Sequence, residues 1–554
     1  MPTRILLRFA PLCATLLLAS CLDHPVKGVE YDKLTVDDEV FPIAVNKDVD
    51  ILFVIDNSGS MAEEQALLSA NFAAFIDVLE APGVKANYRI GITTTDSGNP
   101  RCAGAKYTPE GGRLVLSSCV DRVAQGEFTL VDQDFSFACD DFCGKADADV
   151  TIKPTKTALD MEARPRRWLE NIEGQTNVEG FDSMVEAFQC YGPQGVAGCG
   201  FESHLESMYL SLASASDKAS SNYGFIRDRA ILSVVVISDE VDCSFNPATK
   251  DIFMNNKVFW NDPANDPAPS SAVCWNAGVR CEGAGPNYTE CRAENYDIEG
   301  NPGAADADAV LQPINKYIAF LQSIEDAKKE IDPTQEVLVS LIAGVPVGYE
   351  KGAAPLVYED STNPKFQADF GIGPGCILPS GDPMIPDQTA VPPVRERQFA
   401  EAFEVADEPN LYSICQPDYS DALKGIAAKI RDQIKPACMP KCVLDTNVDT
   451  PVLEPNCQLF EVNLNDESRT DIPRCQEVDG EWVAPAGETV CFGQRLDPDG
   501  TLTPSKLDDM SEDCTNEGYN LEFFLVRSAA APAGTTVTAT CQLSDNKPRD
   551  CPRL

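Results

Sequence analysis

The sequence predicts an α/β protein with a Rossmann-like, doubly wound and mostly parallel central sheet. Residues 51–55 and 230–237 form apolar runs with the pattern of strands buried on both faces, which is typical of parallel sheets. An aspartate follows closely on each run, and a helical pattern with one apolar face follows the first. Ligands bind such sheets at the carboxyl ends of the strands, so these aspartates are candidate site residues.

The first strand ends in the sequence Asp-Asn-Ser-Gly-Ser, residues 56–60. This pattern resembles the opening of a von Willebrand factor A domain, in which it forms a metal-ion-dependent adhesion site. The resemblance implies that Ser58 and Ser60 bind a divalent cation directly and that Asp56 acts through water. The residues also allow a purely structural interpretation, in which Asp56 only ends a strand and Ser60 pairs with Glu63 in a capping box that opens a helix.

The second strand ends at Asp239, which matches the distal metal-site aspartate of the family. The family's third direct ligand, a threonine or serine, falls at Cys199 in this sequence. A disulfide sulfur is a poor ligand for a hard cation, so either Glu202 replaces it or the site is weakened. Hydroxyl and carboxylate ligands imply Mg²⁺, Mn²⁺ or Ca²⁺.

The resemblance covers residues 48–435, interrupted by cysteine-rich insertions at about 97–174 and 243–301. Beyond them helical periodicity disappears and short β-like runs alternate with cysteines. We therefore predict a small, β-rich, disulfide-stabilised domain over residues 440–554.

The 22 cysteines indicate an oxidising compartment. Apart from Cys13 and Cys21, 12 lie from Cys102 to Cys415 and eight from Cys438 to Cys551, so each group can pair within its own domain. We expect a Cys190–Cys199 disulfide across a short loop. The other candidates in this part of the chain are Cys102, Cys119, Cys139 and Cys143.

The N-terminus has the pattern of a secretory signal over residues 1–21, with basic residues flanking a short apolar run. Its end, Leu-Ala-Ser-Cys, resembles the lipobox of bacterial lipoproteins, which implies lipidation at Cys21 and a tether over residues 22–47. We expect a protein of the bacterial envelope, on the outer membrane or cell surface, attached to membrane only through this lipid anchor.

Charge and composition exclude several functions. The formal net charge of −43 gives no basic footprint for nucleic acid. Only two histidines occur, and we find no nucleophile elbow, zinc-protease motif or phosphate-binding loop, so we do not expect an enzyme. The resemblance implies adhesion, or binding of a protein partner that offers a carboxylate to the cation. The alternatives are a scaffold with a degenerate metal site, an envelope assembly factor, and a hydrolase using Asp56 and Asp239.

Overall fold

The computed structural model describes residues 40–42, 47–81, 84–102, 109–331, 335–380, 387–405, 409–434, 437–463, 468–478, 481–527 and 535–553. The predicted signal segment and the predicted lipidation site, Cys21, lie outside these residues. Within them, no helix is both long enough and apolar enough to span a membrane.

A seven-stranded mixed sheet forms the centre of the molecule, as the apolar runs predict. Its strands are β1 (Asp48–Ile55), β2 (Asn87–Thr94), β3 (Leu169–Ile172), β4 (Gln175–Thr176), β5 (Ile231–Ile237), β6 (Leu338–Ala343) and β7 (Leu411–Ser413). They lie in the order β7-β6-β5-β1-β2-β3-β4. Strands β1, β2, β5, β6 and β7 are parallel, and β3 and β4 form an antiparallel edge.

Helices cover both faces of this sheet. They are α1 (Ala62–Asn71), α2 (Ala73–Leu79), α3 (Met184–Tyr191), α4 (His204–Ala213), α5 (Ile314–Lys329), α6 (Val394–Glu401) and α7 (Ser420–Gln433). Successive strand residues point to opposite faces. Phe53 therefore packs with α1, α2, α3 and α7, whereas Leu52 and Val54 pack with α4, α5 and α6.

The order of the strands reverses beside β1. The chain goes from β1 outward to β2 and the antiparallel edge, and then returns to place β5 on the other side of β1. The two strands are in register, with Ile55 opposite Ile237, and the Asp56 amide donates to the Ile237 carbonyl at 3.0 Å. The residues that follow β1 and β5 therefore lie next to each other.

The segments predicted as insertions are built from short elements. The first contributes β3 to the sheet, together with a hairpin of Thr129–Leu130 and Gln133–Asp134, and β4 follows directly after it. Its other elements are Cys119–Gln125, Phe137–Asp140, Asp147–Asp149 and Thr151–Ile152, and the last pairs with Val178–Glu179.

The second predicted insertion belongs to a lobe with a separate core. Its hairpin, Val279–Ala284 with Asn287–Ala293, pairs with the later strand Tyr358–Glu359, and Trp260 and Trp275 are buried in its core. The remaining elements of residues 201–405 are Ser214–Ser216, Pro247–Phe253, Ala272–Gly278, Tyr349–Lys351, Pro364–Phe370, Cys376–Leu378 and Gln388–Ala390.

The C-terminal region is β-rich and has its own core, which includes Leu459, Phe492 and Phe523. Its elements are Ala437–Cys438, Cys457–Asn463, Arg469–Ile472, Gln476–Val478, Glu481–Val483, Val490–Arg495, Glu512–Asn516, Glu522–Arg527, Thr535–Cys541 and Lys547–Asp550. One partner comes from the start of the chain. Val40–Pro42, inside the stretch predicted as a tether, form a strand antiparallel to Thr535–Cys541.

Ten disulfides are present among the residues that the structure describes, and each pairs cysteines of the same group, as the even counts allow. They join 102–199, 119–139, 143–190, 243–274, 281–291, 376–415, 438–514, 442–551, 457–541 and 475–491. The predicted Cys190–Cys199 bond is wrong. Both cysteines bond instead to the first predicted insertion, Cys190 to Cys143 and Cys199 to Cys102, so closeness in sequence does not decide the pairing.

Candidate functional site

Asp56 is fully buried at the carboxyl end of β1, and the surrounding protein fixes its carboxylate. Its Oδ1 accepts a hydrogen bond from the Ser58 amide at 2.8 Å and a longer one from the Thr95 hydroxyl at 3.5 Å. Its Oδ2 accepts from the Ser238 hydroxyl at 2.5 Å. These bonds orient Asp56 and occupy much of its capacity to bind a cation directly.

Ser60 does not form the predicted capping box. Helix α1 begins at Ala62, its N-cap is Met61, and no side chain caps it. The Ser60 hydroxyl is instead 3.4 Å from the Ser58 hydroxyl and forms a hydrogen bond with Asp239. Neighbouring oxygen ligands of a divalent cation are separated by roughly 3 to 3.5 Å, so the two serines are suitably spaced to share one ion.

Asp239 follows β5 and is 6 % exposed, and its Oδ1 has no hydrogen-bond partner. Burial raises the pKa of Asp239 well above its ordinary value, and the nearby charges of Glu64 and Asp56 raise it further. A hydrogen bond with Ser60 favours the ionised form. A carboxylate left in this state is compensated either by a proton or by a cation.

Glu202, the predicted replacement for the third ligand, is fully buried just before α4. Its carboxyl group faces that of Glu240, and a proton on Glu202 allows a hydrogen bond between the two. Burial raises the pKa of Glu202 well above its ordinary value, and the nearby charges of Glu240 and Asp56 raise it further. Cys199 is committed to its disulfide with Cys102, and its amide donates to Asp96 at 3.3 Å. The position that matches the family's third ligand therefore offers no side-chain oxygen here.

Sequence reasoning missed three polar residues of this cluster: Glu64, Glu240 and Ser238. Burial raises the pKa of Glu64 to about 8 and that of Glu240 to about 7, and the charge of Asp56 contributes to both shifts. Ser238 and Glu240 are the sequence neighbours of Asp239 at the end of β5. This adjacency to a predicted site residue could have identified both of them. Glu64 carried none, because a glutamate in a first helical turn is ordinary.

The Gln65 side chain connects the loop after β1 to the loop between α3 and α4. Its Nε2 donates to the carbonyls of Asp56 and Gly195, both at 2.8 Å. Its Oε1 accepts from the amides of Gln194 at 2.7 Å and Gly195 at 3.2 Å. The backbone that positions Asp56 and Ser58 is thereby held on two sides.

The cluster contains carboxylates without compensating positive charge. In the described part of the chain, the carboxylates at positions 56, 64, 202, 239 and 240 form no ion pair with lysine or arginine. Within the same residues, no three His, Cys, Asp or Glu side chains are grouped closely enough to hold a metal by themselves. The predicted cation site is not such a group of three His, Cys, Asp or Glu side chains. Its ligands would be two serine hydroxyls and the oxygen of Asp239 that has no hydrogen-bond partner. The residues present therefore fit a hard divalent cation.

No protein-family profile and no curated protein matches this sequence. Among solved structures, similarity extends to the pilus adhesin SpaC from Lactobacillus rhamnosus GG in its open conformation. Identity is 10 % and the TM-score 0.27, over 90 % of this chain and 39 % of the adhesin. A second structure of that adhesin gives the same identity and TM-score over 91 % and 40 %. This chain thus spans about two fifths of the adhesin, and such scores do not establish a shared fold.

Proposed function

We propose that this protein has a von Willebrand A-like domain that binds a protein partner through a divalent cation. Ser58, Ser60 and Asp239 would hold the ion, with Asp56 orienting it through water and Glu202 as a further ligand. The bound cation would supply an electrophilic position that accepts the partner's carboxylate. The observation that carries the proposal is the pair of adjacent Ser58 and Ser60 hydroxyls, the second of which bonds to the buried Asp239, whose Oδ1 has no hydrogen-bond partner.

The position of this cluster in the sheet supports the proposal. Apart from the short β4, the strands have the order 3-2-1-4-5-6 when counted along the chain, which is the order of doubly wound sheets. In such sheets ligands bind in the crevice where the order reverses, outside the carboxyl ends of the strands. Asp56 and Asp239 follow the two strands that border this crevice.

We also propose that the protein is attached to the bacterial envelope by a lipid. The lipobox-like residues before Cys21 and the disulfides both agree with an envelope lipoprotein, held by its lipid and facing an oxidising space. Replacing Cys21 by serine should release the protein from the membrane fraction of its cell.

Titration with Mg²⁺, Mn²⁺ and Ca²⁺, followed by calorimetry, tests the cation site. We expect the full chain to bind at least one of these ions and the Ser58→Ala/Ser60→Ala protein to lose that binding with its fold intact. Ser323→Ala is the control, because this exposed hydroxyl donates to the Phe320 carbonyl of its own helix and lies outside the proposed site. Absence of binding by the unaltered protein at millimolar ion would overturn the proposal.

That negative result would favour the second candidate, a scaffold that keeps the fold with an inactive metal site. The disulfide at Cys199 is the observation in its favour, because it removes the ligand that the family uses at this position.

A further inference from the structure

A cleft of about 800 Å³ opens beside the proposed cation site, and both Ser60 and Asp239 line it. This volume lies within the range of ordinary ligand pockets. A partner group that reaches the cation is therefore next to a space large enough to hold further side chains.

The wall of this cleft is largely apolar and comes from separate parts of the chain. Helix α1 contributes Leu67, the first predicted insertion contributes Phe137 and Phe142, and the strand Cys376–Leu378 contributes its last residue. Phe137 is 37 % exposed. Apolar side chains open to solvent beside a polar site are typical of interaction surfaces.

The hairpin of the first predicted insertion extends this apolar surface next to the serines. The Leu130 side chain lies against Gly59, where a Cβ would be 2.3 Å from Leu130 Cδ2. Val131, at the turn, is 87 % exposed and has a φ of +46°, which is unfavourable for a β-branched residue. Asp132 also has a positive φ, of +65°, because a two-residue hairpin turn of this kind requires positive φ at both central residues. The turn therefore holds Val131 at the exposed tip of the hairpin.

The charge of the cleft restricts what can enter it. Besides Asp239, its lining includes Glu63, Glu64 and Asp387, and no lysine or arginine among the described residues. An acidic group would be repelled here unless it bound the cation directly, whereas an apolar group would meet Phe137 and its neighbours.

We infer that the partner is a protein segment in which one aspartate or glutamate neighbours a large apolar residue, the carboxylate binding the cation and the apolar side chain filling this cleft. The inference rests on the proposed function and adds the chemistry of the partner. The carboxylate supplies cation dependence, and the apolar neighbour supplies selectivity among acidic segments.

Selection from random peptides displayed on phage tests this inference. The immobilised full chain is used with Mg²⁺ and, separately, with EDTA. With Mg²⁺ we expect enrichment of peptides in which Asp or Glu neighbours Leu, Ile, Met or Phe, and with EDTA we expect none. A selected peptide is then synthesised, together with a variant carrying serine for the apolar residue.

The Phe137→Ser protein should bind the unaltered peptide about tenfold more weakly, because roughly half of a phenylalanine contact is lost. It should discriminate less between the two peptides, with Mg²⁺ affinity unchanged. Leu159→Ser is the matched control, since this side chain is 46 % exposed and lies outside the cleft.

Enrichment of acidic peptides without an apolar preference, or equal affinity of the Phe137→Ser and unaltered proteins, would overturn the inference and leave the proposed function standing. Failure of a Mg²⁺-binding protein to enrich any peptide would also count against it. A protein that binds no cation in the calorimetric titration would remove both.

Discussion

Gly198 supports the loop that follows β1 through a contact that excludes any side chain. Its amide donates to the Asn57 carbonyl at 2.8 Å, and a Cβ at this position would lie 2.3 Å from Asn57 Oδ1 and 2.6 Å from the Asn57 carbonyl oxygen. Because Asn57 immediately precedes Ser58, a displacement here shifts a proposed cation ligand.

Gly198→Ala should therefore lower both the stability and the cation affinity. We expect the free energy of unfolding to fall by about 1 to 3 kcal/mol, the usual effect of overpacking. Urea unfolding and calorimetric titration measure the two effects. Gly144→Ala is the control, since nothing lies within 4 Å of its Cβ position. Equal cation affinity of the two variants would show that the Gly198 contact does not position the serines.

The sequence predicts the site residues that directly follow a recognisable buried strand and that carry carboxylate or hydroxyl groups. Asp56, Ser58, Ser60 and Asp239 come together because two parallel strands end side by side. Contacts between distant segments, such as the one between Gly198 and Asn57, depend on tertiary packing that local patterns do not encode. The predicted capping box is absent for the same reason, because the Ser60 hydroxyl bonds to Asp239, which follows a different strand.

Among the elements, the carboxyl ends of β1 and β5 together with the first turn of α1 form a unit that responds to protons. The pKa values of Glu64 and Glu240 are raised from an ordinary 4.5 to about 8 and about 7. Between 4.5 and those values the folded protein binds more protons than the unfolded protein. The free energy of unfolding therefore falls as the pH rises through this window.

Without divalent ions, the protein should be more stable at pH 5 than at pH 8.5, and saturating Mg²⁺ should reduce this difference because the cation replaces the protons. Urea unfolding at both pH values, with EDTA or Mg²⁺, measures the effect. Glu64→Gln should flatten the pH dependence in EDTA. The pKa of Glu396 is also raised, to about 8, mainly by burial, and its contribution should persist with Mg²⁺. A pH dependence that Mg²⁺ leaves unchanged would contradict cation binding at this edge.

The Cys102–Cys199 disulfide ties the loop before α4 to the first predicted insertion, across 97 residues of sequence. Replacing both cysteines by alanine should lower the free energy of unfolding by up to about 5 kcal/mol on the chain-entropy model and should weaken cation binding. The Cys102→Ala/Cys199→Thr protein should regain part of the cation affinity, because the threonine supplies a hydroxyl ligand.

Cys281→Ala/Cys291→Ala is the control for this pair, since its loop of 10 residues predicts a smaller loss of roughly 3 kcal/mol and no change in cation affinity. The same cation affinity in the threonine and alanine variants at position 199 would argue against a ligand role for that position.

Elements differ in how well their sequence predicts them. The strands β1 and β5 are long and buried, so their apolar runs were sufficient to predict them. The short β3 and β4 are partly polar edge strands. The residues of β3 were assigned to an insertion, and β4 follows that segment directly. Disulfide partners were not predictable from spacing, because pairing depends on which segments the fold brings together.

At the scale of the whole molecule, no disulfide in the described chain links residues 47–434 to residues 437–553. The two parts are instead joined through the Val40–Pro42 strand and through an ion pair of 3.9 Å between Glu173 and Arg527. Arg527 also pairs with Glu461 at 2.7 Å.

Cleavage at a protease site introduced after Gln433 should leave both parts together in gel filtration but give two bands on a denaturing gel without reductant. The uncleaved protein run beside it should give one band. A single band after complete cleavage would reveal a disulfide between the two parts and contradict the pairing described above.

Strand β1 joins the N-terminal side of the sheet directly to the proposed cation site, since it begins at Asp48 and Asp56 follows it. It is paired with β2 over eight residues and with β5 over seven. If the chain is held at its N-terminal end, a pull on a bound partner acts along the axis of this strand. Both hydrogen-bond ladders then bear the load together in shear, whereas a strand peeled from an edge would lose its bonds one after another. The proposed site thus follows a strand suited to transmit tension from a bound partner to the N-terminal side of the sheet.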